Sequence, residues 1–177
     1  MHILGVTSIL IASKYEEIYP PDLQDILTVA ENKFDRKQVL KMERTILFAI
    51  QFEITQPSAY RFLERYRKLS TIVNDDRVFF FAQYLQEITL LDATLLQYAP
   101  SEISAAALIL STKCLKKAKA WTKTMEKATL YTEAHLAPII EEVKSFVLEV
   151  NPKFLTTLKY KFAKVEFGEV ANIEFKF

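Results

Sequence analysis

The hydrophobic and polar positions of this chain first single out residues 4–13, which carry no charged side chain. Lys14, Glu16 and Glu17 follow together, and two prolines then end the segment. A helix that is apolar on all sides lies inside a bundle or a membrane, and about 20 residues are needed to span a bilayer. We therefore predict a buried central helix whose charged C-terminal end reaches the surface, and we expect functional residues at that end.

The remaining apolar residues also recur mostly at helical spacing. Asp35 and Gln38 have the spacing of a capping box at a helix start, and an apolar stripe follows at Val39, Met42, Ile46 and Ala49. A run of three phenylalanines within residues 78–91 is also typical of a strand, but the length and spacing of the segment favour a helix. Residues 101–115 form a second helix that is apolar on all sides, whereas residues 165–177 lack periodicity and are predicted to be extended or irregular.

The chain repeats one helical unit. Residues 8–14 resemble residues 107–113, since both are apolar segments that end in lysine. Each precedes a short helix and then an amphipathic helix, and the stripe of the second copy is Leu136, Ile139, Val143 and Phe146. Two further helices, at residues 57–69 and 78–91, precede the central helix of the second copy only. We therefore expect one complete unit joined to a unit that lacks its first two helices.

Composition narrows the class of protein. Only two of the 177 residues are glycine, which argues against structures that depend on turns and glycine-rich loops and favours an all-α protein. With 23 basic and 22 acidic residues the net charge is +1, so there is no electrostatic reason to expect nucleic acid or an anionic membrane as a partner. Cys114 is the only cysteine, which fits a reducing compartment, the cytosol or the nucleus.

The sequence contains no recognisable set of catalytic or metal-binding residues. The sequence shows no Ser/His/Asp or Cys/His set and no glycine-rich loop, so we expect neither an enzyme nor a cofactor. His2 and His135 are too isolated to predict a metal site. A basic run is compatible with phosphate binding, but a solvated helix face explains it more simply given the neutral net charge; it comprises Lys113, Lys116, Lys117, Lys119, Lys123 and Lys127.

Three segments resemble a known family. They are LGVTSILIASKYEEIYPPDLQDIL, KFDRKQVLKMERTILFAIQFEIT and LLDATLLQYAPSEISAAALIL. Over about residues 4–162 the chain is similar to the cyclins of the A/B (mitotic) type. The resemblance implies tandem cyclin-fold helical repeats, the first truncated at its N-terminus. Residues 1–55 would then be a partial first cyclin box, residues 56–164 the second box, and residues 165–177 an irregular tail.

The same resemblance implies a function and a binding site. It indicates a regulatory subunit that binds and activates a cyclin-dependent protein kinase in G2/M control, located in the nucleus and cytoplasm. In such cyclins, the lysine and glutamate that match Lys14 and Glu43 bond backbone groups at the kinase C-helix. The apolar platform beneath that helix is matched by Ile11, Tyr15, Leu47, Phe52 and Ile54.

The sequence departs from the family pattern at its start. The first helix of the first repeat, which carries the usual docking patch for substrates, has no counterpart here, so substrate docking by that patch is not expected. Part of the helix at residues 4–13 should then be exposed. The alternatives are a degenerate or truncated cyclin-fold protein that binds without activating, and a transcription-factor-like cyclin fold.

Overall fold

The computed structural model describes residues 2–150 and 152–175, with only the backbone described at positions 152 and 153. Within these residues the chain is helical and contains no strand, which confirms the all-α prediction. The helices are α1 (His2–Glu16), α2 (Leu23–Val29), α3 (Arg36–Ala49), α4 (Ala59–Leu69), α5 (Asp76–Thr89), α6 (Pro100–Cys114), α7 (Lys123–Thr129), α8 (Glu133–Glu149) and α9 (Thr156–Phe162). Short 3-10 helices lie at Thr94–Gln97, Pro152–Leu155, Val165–Phe167 and Val170–Asn172.

The chain divides into two compact units, one ending at Gln56 and the other beginning at Pro57. In the first unit, α1, α2 and α3 pack against one another. Their shared core is small and consists of Leu10, Leu23, Ile26, Leu27 and Val39. The capping box that opens α3 is confirmed. The backbone N–H of Gln38 donates to Asp35 Oδ1 at 2.8 Å, and the backbone N–H of Asp35 donates to Gln38 Oε1 at 2.9 Å.

Helix α1 is buried on one face only, so the prediction of a buried central helix needs correction. Thr7, Leu10 and Ile11 are its buried residues, whereas the side chain of Leu4 is exposed and that of Ile9 is 59% exposed. An apolar sequence reports which residues tolerate burial but not whether a neighbouring element is present to bury them. The expectation that part of this helix is exposed is therefore met.

The second unit is built around α6, which is buried along most of its length. Helices α4, α5 and α8 pack against it. Buried polar groups join three of these helices, since Gln86 Nε2 donates to Ser104 Oγ at 2.8 Å and to the Ala59 carbonyl at 3.2 Å. The helix predicted over residues 78–91 is confirmed as α5, and its aromatic residues Phe79, Phe81 and Tyr84 are buried.

The C-terminal residues belong to the second unit rather than to a separate irregular tail. Residues 165–172 form two 3-10 helices where the sequence predicted an extended or irregular segment. The Phe167 ring lies 5.1 Å from the Phe162 ring, and Val170 is fully buried. Such packing depends on long-range contacts and leaves no period in the sequence. Positions 176 and 177 lie outside the described residues.

Within the described residues, no helix combines the length and the apolar character needed to cross a lipid bilayer.

Candidate functional site

The first unit brings Lys14 and Glu43 together at the surface. Lys14 lies in the last turn of α1 and Glu43 in the middle of α3, and these two helices pack side by side. Lys14 Nζ donates to Glu43 Oε1 at 2.7 Å. The lysine side chain is 49% exposed and the glutamate side chain 13% exposed, so the lysine is half open to solvent while the glutamate is largely buried.

This ion pair leaves hydrogen-bonding capacity unused. An ammonium group has three donors and a carboxylate about four acceptor sites, and the pair occupies only one of each. Within the described residues neither side chain makes a further hydrogen bond, so the remaining N–H groups of Lys14 and the carboxylate oxygen Oε2 of Glu43 lie side by side without a partner there. Adjacent donors and acceptors of this kind can bond the carbonyl and amide groups exposed at the end of a partner helix.

A tight turn after α3 presents the apolar part of the site. Gln51 and Phe52 both have left-handed backbone conformations, with φ of 52° and 60°. The Phe52 amide donates to the Leu47 carbonyl at 2.9 Å and the Gln51 amide to the Phe48 carbonyl at 3.1 Å, which is the hydrogen-bond pattern of a Schellman motif. A left-handed phenylalanine is rare and costs about 1 kcal/mol or more. The strain coincides with a ring that is 59% exposed.

The other predicted platform residues differ in accessibility. The Tyr15 hydroxyl and the Thr55 hydroxyl are 2.7 Å apart, so the end of α1 is tied to the segment after the turn. Leu47 and Ile54 are half-buried. Ile11 is only 8% exposed and therefore supports the surface from beneath more than it adds to it. The role of all these residues as partner contacts stays a prediction.

Sequence reasoning missed two residues of this surface. Phe48 is 71% exposed, and its ring lies edge-on to that of Phe52 at a centroid distance of 5.6 Å. Thr55 was missed because its contact with Tyr15 depends on the path of the turn. For Phe48 a signal existed, since Phe48 and Arg44 are one helical turn apart on the polar side of α3.

The second unit has no counterpart of the Lys14–Glu43 pair among its described residues. Lys113 ends α6 as Lys14 ends the apolar part of α1, but the position on α8 that matches Glu43 is Ile140. Within the described part of the chain, Lys113 takes part in no ion pair. The exposed pair in the first unit is thus an addition to the common architecture.

The comparison with known proteins identifies the family. The profile described as "Cyclin, N-terminal domain" matches residues 1–55, and that described as "Cyclin, C-terminal domain" matches residues 57–176. This chain belongs to the cyclin family. The resemblance to cyclins seen in the sequence is therefore confirmed. The two matched regions correspond to tandem repeats of cyclin type.

Relatives of this cyclin are named for mitosis. It is 34% identical over 173 residues to the G2/mitotic-specific cyclin-B of Marthasterias glacialis, covering 98% of this chain and 44% of the relative. It is 39% identical over 151 residues to the G2/mitotic-specific cyclin-B2 of Anguilla japonica, covering 85% of this chain and 38% of the relative. The chain thus spans about two fifths of the length of these relatives.

His135 and two lysines of the basic run are engaged in structural contacts. Among residues 2–150 and 152–175, no three His, Cys, Asp or Glu side chains are grouped as metal ligands. His135 Nε2 lies 2.5 Å from Glu102 Oε1. In the basic run, Lys117 pairs with Asp75 at 2.9 Å and Lys119 with Glu133 at 2.6 Å, and this supports a structural role for those two lysines.

Proposed function

We propose that this cyclin is a mitotic regulatory subunit that binds and activates a cyclin-dependent protein kinase, without catalysis of its own. The observation that carries the proposal is the surface Lys14–Glu43 pair, in the same unit as the exposed Phe52 turn; the described part of the second repeat shows no such ion pair at the matching positions. The relatives named as G2/mitotic-specific cyclins support it. Action in the nucleus and cytoplasm is part of the same proposal.

The mechanism follows from the unused groups of the pair. Charged donors and acceptors form stronger hydrogen bonds than neutral ones, each contributing about 1.5–3 kcal/mol. Apolar area around them, from Phe52 and its neighbours, excludes water and forms the anchor of the contact. Contacts made only with the active position of the kinase C-helix shift the kinase towards that state. In that state the C-helix glutamate pairs with the lysine that positions ATP.

The decisive test is a charge exchange, Lys14→Glu with Glu43→Lys. The exchange keeps opposite charges at the two positions. Because the Glu43 side chain is only 13% exposed, the stability of the exchanged variant is measured by urea denaturation before binding is compared. The partner, however, meets reversed charges. We expect affinity for a mitotic cyclin-dependent kinase to fall by about 30-fold or more, and phosphate transfer to fall with it.

A control pair in which both side chains are exposed is available in the same unit. Lys33 and Glu31 form an exposed pair at 2.6 Å, and their exchange should leave kinase activation unchanged. Equal activation by both exchanged variants would contradict the proposed site. Binding of the unmodified chain without activation would favour a non-activating binding module, and absence of binding would exclude the kinase-regulatory function.

A further inference from the structure

Helix α3 carries a basic stripe on the side facing away from the core, formed by Lys37, Lys41 and Arg44. Their spacing places them one above the other along one face of the helix, with Phe48 one turn beyond. All four side chains are exposed. Within residues 2–150 and 152–175, none of the three cations forms an ion pair or a side-chain hydrogen bond.

The basic stripe contrasts with the charge of its own unit. Residues 1–56 contain eight acidic and six basic side chains, and four of the six basic ones lie on α3. The only acidic residue of α3 is Glu43, which is bound by Lys14. The outward face of α3 is therefore a positive patch on an acidic unit, and no acid of the helix neutralises it.

The basic stripe is continuous with the proposed kinase-binding surface. At 3.6 residues per turn, Leu47 lies on α3 between Glu43 and Arg44. Phe48, at the end of the stripe, contacts the Phe52 ring. A concavity of about 380 Å3 lies along this face and is lined by Lys37, Leu40, Lys41, Arg44, Thr45 and Phe48.

We propose that the basic stripe binds an acidic segment of the kinase partner and thereby speeds association and favours partners that carry such a segment. This inference rests on the proposed function and specifies in addition that the segment of the partner bound by the stripe is acidic. Arg44 offers a planar fork for a carboxylate, and Lys37 and Lys41 act as flexible point charges. Leu40 and Phe48 supply apolar area for the methylene groups of acidic side chains.

The surroundings favour an acidic peptide segment over other anions. A long polyanion or a charged bilayer extends beyond the stripe and meets the acidic remainder of the unit, which repels it. A short acidic segment fits the length of three cations spread over two helical turns. Charge complementarity at the edge of an interface acts mainly on the association rate and on the choice of partner.

The test compares two triple variants of the full chain with the same net charge. The first neutralises the stripe as Lys37→Gln, Lys41→Gln and Arg44→Gln. The other variant is the control and neutralises three exposed lysines of the second unit, Lys113, Lys123 and Lys127. Within the described residues these three lysines form no ion pair. Association with a mitotic cyclin-dependent kinase is followed by stopped flow over a range of salt concentrations.

We expect the stripe variant to associate about 10-fold more slowly than the control variant at low salt. The difference should vanish near 1 M salt, where the Debye length falls to about 3 Å. Equal association rates of the two variants at low salt would overturn the proposal while leaving the proposed function intact. Failure of the unmodified chain to bind the kinase would overturn both.

A parallel measurement with phosphatidylserine vesicles separates a membrane from a protein partner. One result would show that the stripe serves a membrane and that the proposal is wrong. In that result the unmodified chain binds the vesicles and the stripe variant does not, while the stripe variant associates with the kinase at an unchanged rate.

Discussion

The buried hydroxyl of Tyr84 should destabilise this cyclin. Tyr84 is fully buried in α5, and within the described residues its hydroxyl has no hydrogen-bond partner. Its ring packs against Phe162 at a centroid distance of 5.1 Å, a contact that phenylalanine can keep. A buried polar group without a partner costs about 1–3 kcal/mol. Tyr84→Phe should therefore raise the free energy of unfolding at pH 7 by about 1 kcal/mol or more.

A second buried tyrosine provides the matched control. Tyr66 is 2% exposed, and its hydroxyl donates to the Ser101 carbonyl at 3.2 Å. Tyr66→Phe removes that hydrogen bond and should lower the free energy of unfolding by about 0.5–1.5 kcal/mol. The two substitutions delete the same atom, so opposite signs in urea denaturation would isolate the effect of the hydrogen-bond partner.

The pH dependence gives an independent check. Burial raises the pKa of the Tyr84 phenol above its usual value. An unfolded tyrosine ionises near pH 10, so the folded state loses relative stability as the pH rises above about 10. Tyr84→Phe lacks this contribution, and its stability should fall less steeply on the alkaline side.

Destabilisation of Tyr84→Phe at pH 7 by about 0.5 kcal/mol or more would refute the reasoning.

Two further predictions concern helix starts. Asp35→Ala removes the N-cap of α3 and should lower the free energy of unfolding by about 0.5–2 kcal/mol, measured by urea denaturation. Gln38→Ala, which leaves the Asp35 cap in place, should cost less. The hydrogen bond from Lys117 holds the pKa of Asp75 below its usual value, so the stability that Asp75 adds is present above about pH 4 and is lost as the pH falls through the lowered pKa. Asp75 is the N-cap of α5, because the Val78 backbone N–H donates to its Oδ1 at 3.2 Å. Asp75→Asn keeps an N-cap residue and should show a smaller loss of stability on acidification; an unchanged acid profile would contradict this.

The order and type of the helices could be predicted because they rest on local rules. Asp35 and Gln38 marked the start of α3 by capping chemistry alone. The length of the segment decided that α5 is a helix despite three consecutive phenylalanines. Local rules could not predict the exposure of Ile9; only the resemblance to cyclins implied that part of its helix would be exposed. Its counterpart in the repeat, Leu108, is fully buried. Two residues of similar pattern differ because only one has packed neighbours.

The candidate site was predictable only as far as the family motifs reached. Lys14 and Glu43 are 29 positions apart, and nothing in their spacing brings them together; the resemblance to cyclins did so. The contact between Tyr15 and Thr55 depends on the turn through Gln51 and Phe52. Glycine is the usual marker of such a turn, and no glycine is present at this one.

The unequal cores of the two units bear on how this cyclin would hold a partner. In the first unit, which carries the whole candidate site, the buried residues of the core are a few aliphatic side chains, whereas the second unit buries Trp121, Tyr84, Phe81 and Phe162. Regions with less buried apolar contact open at lower free energy. If a partner binds the first unit only when that unit is not locally opened, its apparent affinity falls in proportion to the fraction of molecules in that closed form. Binding in turn stabilises that unit by mass action. Substitutions in the small core far from Lys14 should therefore weaken the complex without touching the interface.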